Sequence, residues 1–198
     1  MIIGITGGTG SGKSTLLHMI ADLGGLVLDC DAIYHELLQT DAELLNRIEH
    51  RFPGTVADGV LDRKKLGTIV FADANALLEL NRITHTAVKK EILRRLKSKA
   101  DLVAIDAIGL FEGELDSLCD VTVAVTAPES ARIQRIMARD GISEEYAKSR
   151  IASQHSDAWF ISKCDHILEN DGTSEDFQAK CIAFFRVLGI IERKNEGE

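Results

Sequence analysis

Short, nearly continuous apolar runs alternate along the chain with segments whose apolar residues recur every three or four positions. Ile2–Thr6 (IIGIT), Leu26–Asp29 (LVLD), Leu102–Ala107 (LVAIDA), Val121–Val125 (VTVAV) and His166–Asn170 (HILEN) are the runs, and most are rich in β-branched side chains. They lack the polar alternation of a half-exposed strand. Strands of this kind are buried on both faces, which predicts a parallel sheet flanked by helices.

Between the runs the period changes. Lys13–Leu23 carries Leu16, Leu17, Ile20 and Leu23 at helical spacing. Thr40–Glu43 (TDAE) has the pattern of a capping box ahead of Leu44, Leu45 and Ile48. A long helix is predicted from about Ala74 to Lys99, with Leu77, Asn81, Val88, Ile92 and Leu96 near one stripe. Pro128 suits a helical first turn, Ser143 caps the helix that follows it, and Thr173 or Ser174 caps a last helix reaching about Leu188. The tail after Ile191 is expected to fray. The interval from Asp29 to Leu102 is far longer than a crossover needs and reads as a helical insert. Arg132–Gln154, between the fourth and fifth runs, reads as a smaller one.

Composition narrows the classes. The 198 residues are 45% hydrophobic and 27% charged without a long single-sign block, which suits one folded domain with lobes. A net charge of −8 argues against a nucleic-acid partner and means that an anionic ligand must be met by local positive charge. Cys30, Cys119, Cys164 and Cys181 show no C-x-x-C spacing, and no Cys/His cluster has zinc-ligand spacing. Reduced thiols in the cytoplasm are the expectation. The N-terminus lacks the features of a signal peptide, and no apolar stretch reaches the ~18 residues of a membrane span, so no membrane partner is expected.

The chemistry is concentrated after the first run. Gly7-x-x-x-x-Gly12-Lys13-Ser14 matches G-x-x-x-x-G-K-[ST] and lies between a strand and an amphipathic helix. Glycines let backbone N–H groups converge on one point, and the helix N-terminus adds its partial positive charge. Lys13 supplies a full charge for the β- and γ-phosphates of a nucleoside triphosphate, and Ser14 a hydroxyl for Mg²⁺. Asp29 and Asp31 follow the second strand; an extended chain there would place both carboxylates on one side, where Asp31 could accept a proton from an attacking hydroxyl. Asp31 is alternatively an N-cap for the following helix. Asp106, ending VAID, fits a carboxylate that reaches Mg²⁺ through water. Arg132, Arg135 and Arg139 share one face of a predicted helix and could clamp a phosphoryl group, or form a solvated basic surface. The basic run from Val88 to Lys99 reads as the wet side of its helix, and Trp159 and Phe160 as packing.

A phosphate loop does not name the acceptor. A nucleotide switch for GTP would need a guanine-reading N-K-x-D, which neither NRIT nor ENDG supplies. A kinase for a small acceptor such as a nucleoside monophosphate is one reading, and a P-loop fold without catalysis that serves as an interaction protein is another.

Over most of its length the chain resembles the dephospho-CoA kinase family. IGITGGTGSGKST is similar to that family's opening strand and loop, LDCDAI to its D-A-D-x-I, and VLDRKKLGTIVFAD (Val60–Asp73) to its V-L-D-R-x-x-L-x-x-I-V-F-x-D. RIMARDGIS and RIASQ resemble its lid, and DHILENDG its final strand and adenine-side turn. The resemblance implies an α/β fold of P-loop NTPase type with a five-stranded parallel sheet. It implies a nucleotide-binding core at residues 1–31, 100–131 and 158–198, a helical acceptor insert at 32–99 and a lid at 132–157. The implied reaction is phosphorylation of the ribose 3′-hydroxyl of dephospho-CoA by ATP with Mg²⁺, giving coenzyme A and ADP, in a monomer or weak homo-oligomer. Asp31 would be the general base, and Lys13 and Arg139 would stabilise the transferred group. ATP would meet Gly8, Gly10, Ser11, Gly12, Lys13, Ser14, Thr15, Arg135 and Asn170; the metal would meet Ser14 and Asp106; the acceptor would meet Asp31, Arg63, His85 and Glu112. The chain departs from the family where D-I-P-L-L-F-E reads DAIGLFE (Asp106–Glu112), where Thr86 follows His85 in place of proline, where Q-x-P reads Gln154-His155-Ser156, and at Cys30. By the same resemblance these changes touch the acceptor wall and lid, not the phosphate loop.

Overall fold

All five apolar runs become strands of one sheet. The computed structural model describes residues 1–98 and 100–192, so Lys99, the expected end of the long helix, and the tail beyond Glu192 lie outside the described residues. In chain order the elements are β1 (Ile2–Thr6), α1 (Lys13–Asp22), β2 (Leu26–Asp29), α2 (Cys30–Thr40) and α3 (Ala42–Arg51). A two-residue hairpin, β3 (Val56–Ala57) and β4 (Val60–Leu61), precedes α4 (Arg63–Val70) and α5 (Ala74–Arg95). Then come β5 (Val103–Asp106), β6 (Val121–Thr126), α6 (Glu129–Asp140), α7 (Glu144–Ala152), α8 (Asp157–Lys163), β7 (His166–Glu169) and α9 (Ser174–Val187).

The main sheet has the order β2-β5-β1-β6-β7 and every pairing is parallel. Its alternating side chains feed two cores. Ile3, Ile5, Ala104, Val123 and Val125 pack with Leu16 and Ile20 of α1 and with Phe177, Cys181, Phe184 and Phe185 of α9. On the other side Leu28, Val103 and Ile105 join Ile33, Ile48, Phe52, Val88 and Ile92, so the insert shares one core with the sheet. α6 and α7 close a small core of their own around Ile133, Ile136 and Ala147.

Two boundaries differ from expectation. Thr40 does not cap α3; it ends α2, where its hydroxyl donates to the Glu36 carbonyl. Asp41 is the cap and accepts from the Leu44 N–H at 3.0 Å. Pro128 stands one position before α6, as its N-cap, instead of inside the first turn. At the other end of the chain Thr173 forms the capping box with Asp176. No helix among the described residues is long and apolar enough to cross a membrane.

Candidate active site

β1 lies in the middle of the sheet with β5 and β6 on either side, so the segments leaving their carboxyl ends converge on one crevice. The loop between β1 and α1 turns there on glycines. Gly7 has φ +133°, and a Cβ on it would strike the Val125 carbonyl oxygen of β6. Gly12 caps α1 in the left-handed region at φ +103°, where a Cβ would meet the Asn170 amide. The first N–H groups of α1 have no partners within the helix and open onto the crevice.

The carbonyl side of the loop is held by side chains from distant segments. Arg135 Nη1 donates to the carbonyls of Gly10 and Ser11, both at 3.2 Å, and its Nη2 donates to Asn170 Oδ1 at 3.1 Å. Asn170 Nδ2 donates to the Ser11 carbonyl at 2.8 Å. The two residues expected on the nucleotide side of the chain are thus joined to each other and to the loop. Gln154 Oε1 accepts from the Thr9 N–H at 2.8 Å.

A cavity of about 740 Å³ lies over this loop. Gly10, Gly12, Lys13, Ser14, Thr15, Arg135 and Asn170 line it, opposite Asp29, Asp31 and Asp106. Gly8 and Ser11 are in the same loop but turned away from the cavity; Ser11 is buried and its hydroxyl has no partner among the described residues. Lys13 Nζ donates to the Gly7 carbonyl at 2.8 Å. Burial pulls the Lys13 ammonium below its ordinary value, and the nearby carboxylates of Asp106 and Asp31 oppose that shift. Burial also pushes the Asp106 carboxyl up to about 6, against the attraction of Lys13. Asp106 Oδ1 is buried without a hydrogen-bond partner among the described residues.

Asp29 and Asp31 share the cavity by a different route from the one expected. The chain does not stay extended: α2 starts at Cys30, directly after β2. The cap role falls to Asp29, whose Oδ1 accepts from the Ala32 N–H at 3.0 Å, while Asp31 stands in the first turn. Among the three arginines of α6, Arg135 and Arg139 line the cavity and Arg132 is buried behind the loop. Arg139 is ion-paired through two hydrogen bonds to Asp140, which Arg150 also reaches. Arg150 and Gln154 line the cavity too; both lie in RIASQ, but neither was among the expected site residues. Their four-residue spacing in RIASQ, which puts both on one helical face, was the available signal.

A second, smaller chamber of about 240 Å³ adjoins the first. Cys30, Tyr34, Asn81, Thr84 and His85 line it, and among the described residues Asp31 is the one ionisable side chain it has in common with the larger cavity. His85 also faces a groove along α5 that includes Glu112. Glu112 is engaged by the segment between α7 and α8: its Oε1 lies 2.8 Å from His155 Nε2, and its carbonyl lies 3.3 Å from His85 Nδ1. Arg63, by contrast, lines none of these three cavities and sits at the start of α4 with Nη2 3.2 Å from His35 Nδ1.

Comparison with known proteins agrees with this geometry. The family model described as dephospho-CoA kinase (CoaE) matches residues 1–176. A dephospho-CoA kinase of Bacillus thuringiensis subsp. konkukian is 36% identical over 97% of this chain and 99% of its own. One from Syntrophotalea carbinolica is 35% identical over 95% and 92% of the two chains. The solved dephospho-CoA kinase of Campylobacter jejuni superposes with a TM-score of 0.67 at 27% identity, covering 96% of this chain and 98% of that one. With its phosphate loop, its five-stranded parallel sheet and these matches across nearly its whole length, the chain belongs to the dephospho-CoA kinase family of P-loop kinases.

Proposed function

We propose that the protein transfers the γ-phosphoryl group of ATP to the ribose 3′-hydroxyl of dephospho-CoA, giving coenzyme A and ADP. The observation that carries this reading is Asp31. Among the described residues it is the only ionisable side chain shared by the loop cavity and the adjoining chamber. A hydroxyl presented from the chamber meets Asp31 on its way to a phosphate held by the loop.

The triphosphate lies along the N-terminus of α1, with the loop amides and Lys13 against its β- and γ-oxygens. Lys13 exchanges the Gly7 carbonyl for a phosphate oxygen when nucleotide enters. Asp31 takes the proton from the 3′-hydroxyl as that oxygen bonds to the γ-phosphorus, and the bond to the β-bridging oxygen breaks. Arg139 swings from Asp140 to the transferring group and offsets its charge. The acceptor's nucleoside end fills the chamber beside Tyr34, Asn81 and His85, with Glu112 and Arg63 farther out.

The unpartnered, buried Asp106 oxygen and the Ser14 hydroxyl fit a hydrated Mg²⁺ that travels with ATP. Among the described residues no cluster of three or more His, Cys, Asp or Glu side chains could cage a metal, which suits an ion completed by phosphates and water. When bound, that ion neutralises charge on the β- and γ-phosphates. We place the reaction in the cytoplasm, where the four free thiols stay reduced.

The test is an assay of the purified protein with ATP and Mg²⁺ across dephospho-CoA, nucleoside monophosphates and adenosine, with products identified by mass. Coenzyme A is expected as the main product; phosphorylation of a monophosphate alone would overturn the acceptor assignment. Asp31→Asn is expected to lower turnover by about two to four orders of magnitude while ATP still binds.

A further inference from the structure

Arg132 is a charged side chain only 4% exposed, and it takes no part in the transfer described above. It reaches from α6 to three places. Its Nε donates to the Thr9 carbonyl at 2.9 Å, from behind the phosphate loop. Its Nη1 is ion-paired at 2.9 Å with Asp157, the first residue of α8. Its guanidinium also lies against Gly8, in the space a Cβ there would need, and its Nη2 is buried with no hydrogen-bond partner among the described residues. Gly10 rests against the Arg132 backbone in the same way. The chain therefore buries a full positive charge to touch two consecutive loop residues, and balances it with one carboxylate.

A buried arginine of this kind is a poor source of stability, because desolvation cancels most of the attraction to its partner. Its geometry is better explained by what it holds. Thr9 is fixed from two sides, its carbonyl by Arg132 and its N–H by Gln154. Gln154 closely follows α7, and Asp157 starts α8. Each of the grips on Thr9 thus comes from the helical segment that covers the cavity. Arg132 also adds to the positive field at Lys13, whose ammonium it pushes down.

We infer that Arg132 is a positioning residue for nucleotide: it clamps Gly8 and Thr9 of the phosphate loop to α6 and, through Asp157, to α8, so that the loop is set for phosphate before ATP arrives. This role rests on the reading of the loop as the ATP site.

Three variants test it. Arg132→Gln removes the charge. Arg132→Lys keeps the charge but cannot reach Thr9 and Asp157 together. The double variant Arg132→Met with Asp157→Leu removes the buried ion pair whole, which restores stability without restoring the hold on Thr9. Calorimetric titration with ATP is expected to show Kd raised about tenfold in all three, with KM for dephospho-CoA within about twofold of wild type. Melting temperature should fall in Arg132→Gln and recover in the double variant. If ATP affinity recovers with it, Arg132 serves stability alone and the inference is wrong. Should Arg132→Gln fail to fold, Arg132→Lys decides, and an unchanged ATP Kd in that variant overturns the clamp. A wild-type chain that does not bind ATP in the same titration would instead refute the assignment of the loop.

Discussion

Asp106 ends a central strand beside Lys13, with two more carboxylates across the cavity, and it is half-buried with its Oδ1 enclosed. In the folded chain its carboxyl titrates near 6, above the ordinary 3.8, because burial penalises the anion. The native state therefore holds the proton more tightly than the unfolded chain. The cost of ionising Asp106 is fully present above pH 6, shrinks as pH falls through that value, and vanishes below 3.8. A rise from 3.8 to about 6, with the attraction of Lys13 already included, corresponds to roughly 3 kcal/mol, and an amide in the same place keeps a desolvation cost of its own. Asp106→Asn is thus expected to stabilise the ligand-free protein by about 1–2 kcal/mol at pH 8 and by nothing at pH 4, while turnover falls. Urea titrations at the two pH values measure this, and a variant less stable than wild type at pH 8 would contradict it. The place of Asp106 in the cavity, like that of Lys13, was legible because position after an apolar strand and residue type together define it. Arg132 was not legible: in sequence a buried arginine and a wet one on the same helical face look alike, and only Thr9 and Asp157, which fold onto it from other segments of the chain, separate the two.

At the scale of elements, the strands were readable almost to the residue, since a sheet buried on both faces leaves an uninterrupted apolar run. Helix boundaries inside the insert were less so. TDAE carries two potential caps in a row, and local pattern favoured Thr40 because Glu43 completes a box with it. Tertiary packing decided otherwise: Leu37 and Leu38 are buried and extend α2 through Thr40, so the break falls at Asp41. Asp41→Ala is expected to cost about 1 kcal/mol of stability, the usual value of a lost cap, and Thr40→Ala a few tenths at most. Thermal melts of the two variants rank them, and the reverse order would restore Thr40 as the cap. The short α8 and the β3–β4 hairpin were missed because each is too brief for a period to register.

Across the whole molecule, three departures from the family pattern, at Ala107–Gly109, Thr86 and His155, fall around one contact. His155 joins Glu112 at 2.8 Å and stacks on Trp159 with ring centroids 3.8 Å apart, and Trp159 meets Phe111 edge-on. His85 and Glu112 both approach Gly109. The helical segment that carries Gln154 to the phosphate loop thereby carries His155 to Glu112, one residue later. No run of sequence could reveal this, because the two sides of the contact are 43 residues apart and meet only through the sheet. An acceptor that draws on Glu112 must disturb the His155 ring and with it Trp159, the single tryptophan of the chain. Dephospho-CoA is therefore expected to change tryptophan emission, whereas ATP alone changes it little. His155→Ala should abolish most of that change and raise KM for dephospho-CoA about fivefold, the lower end of ordinary coupling between sites, with ATP affinity within about twofold of wild type. An acceptor-dependent signal that survives in His155→Ala would mean that Trp159 senses the acceptor through Phe111 instead, and that the lid reaches the acceptor wall without this histidine.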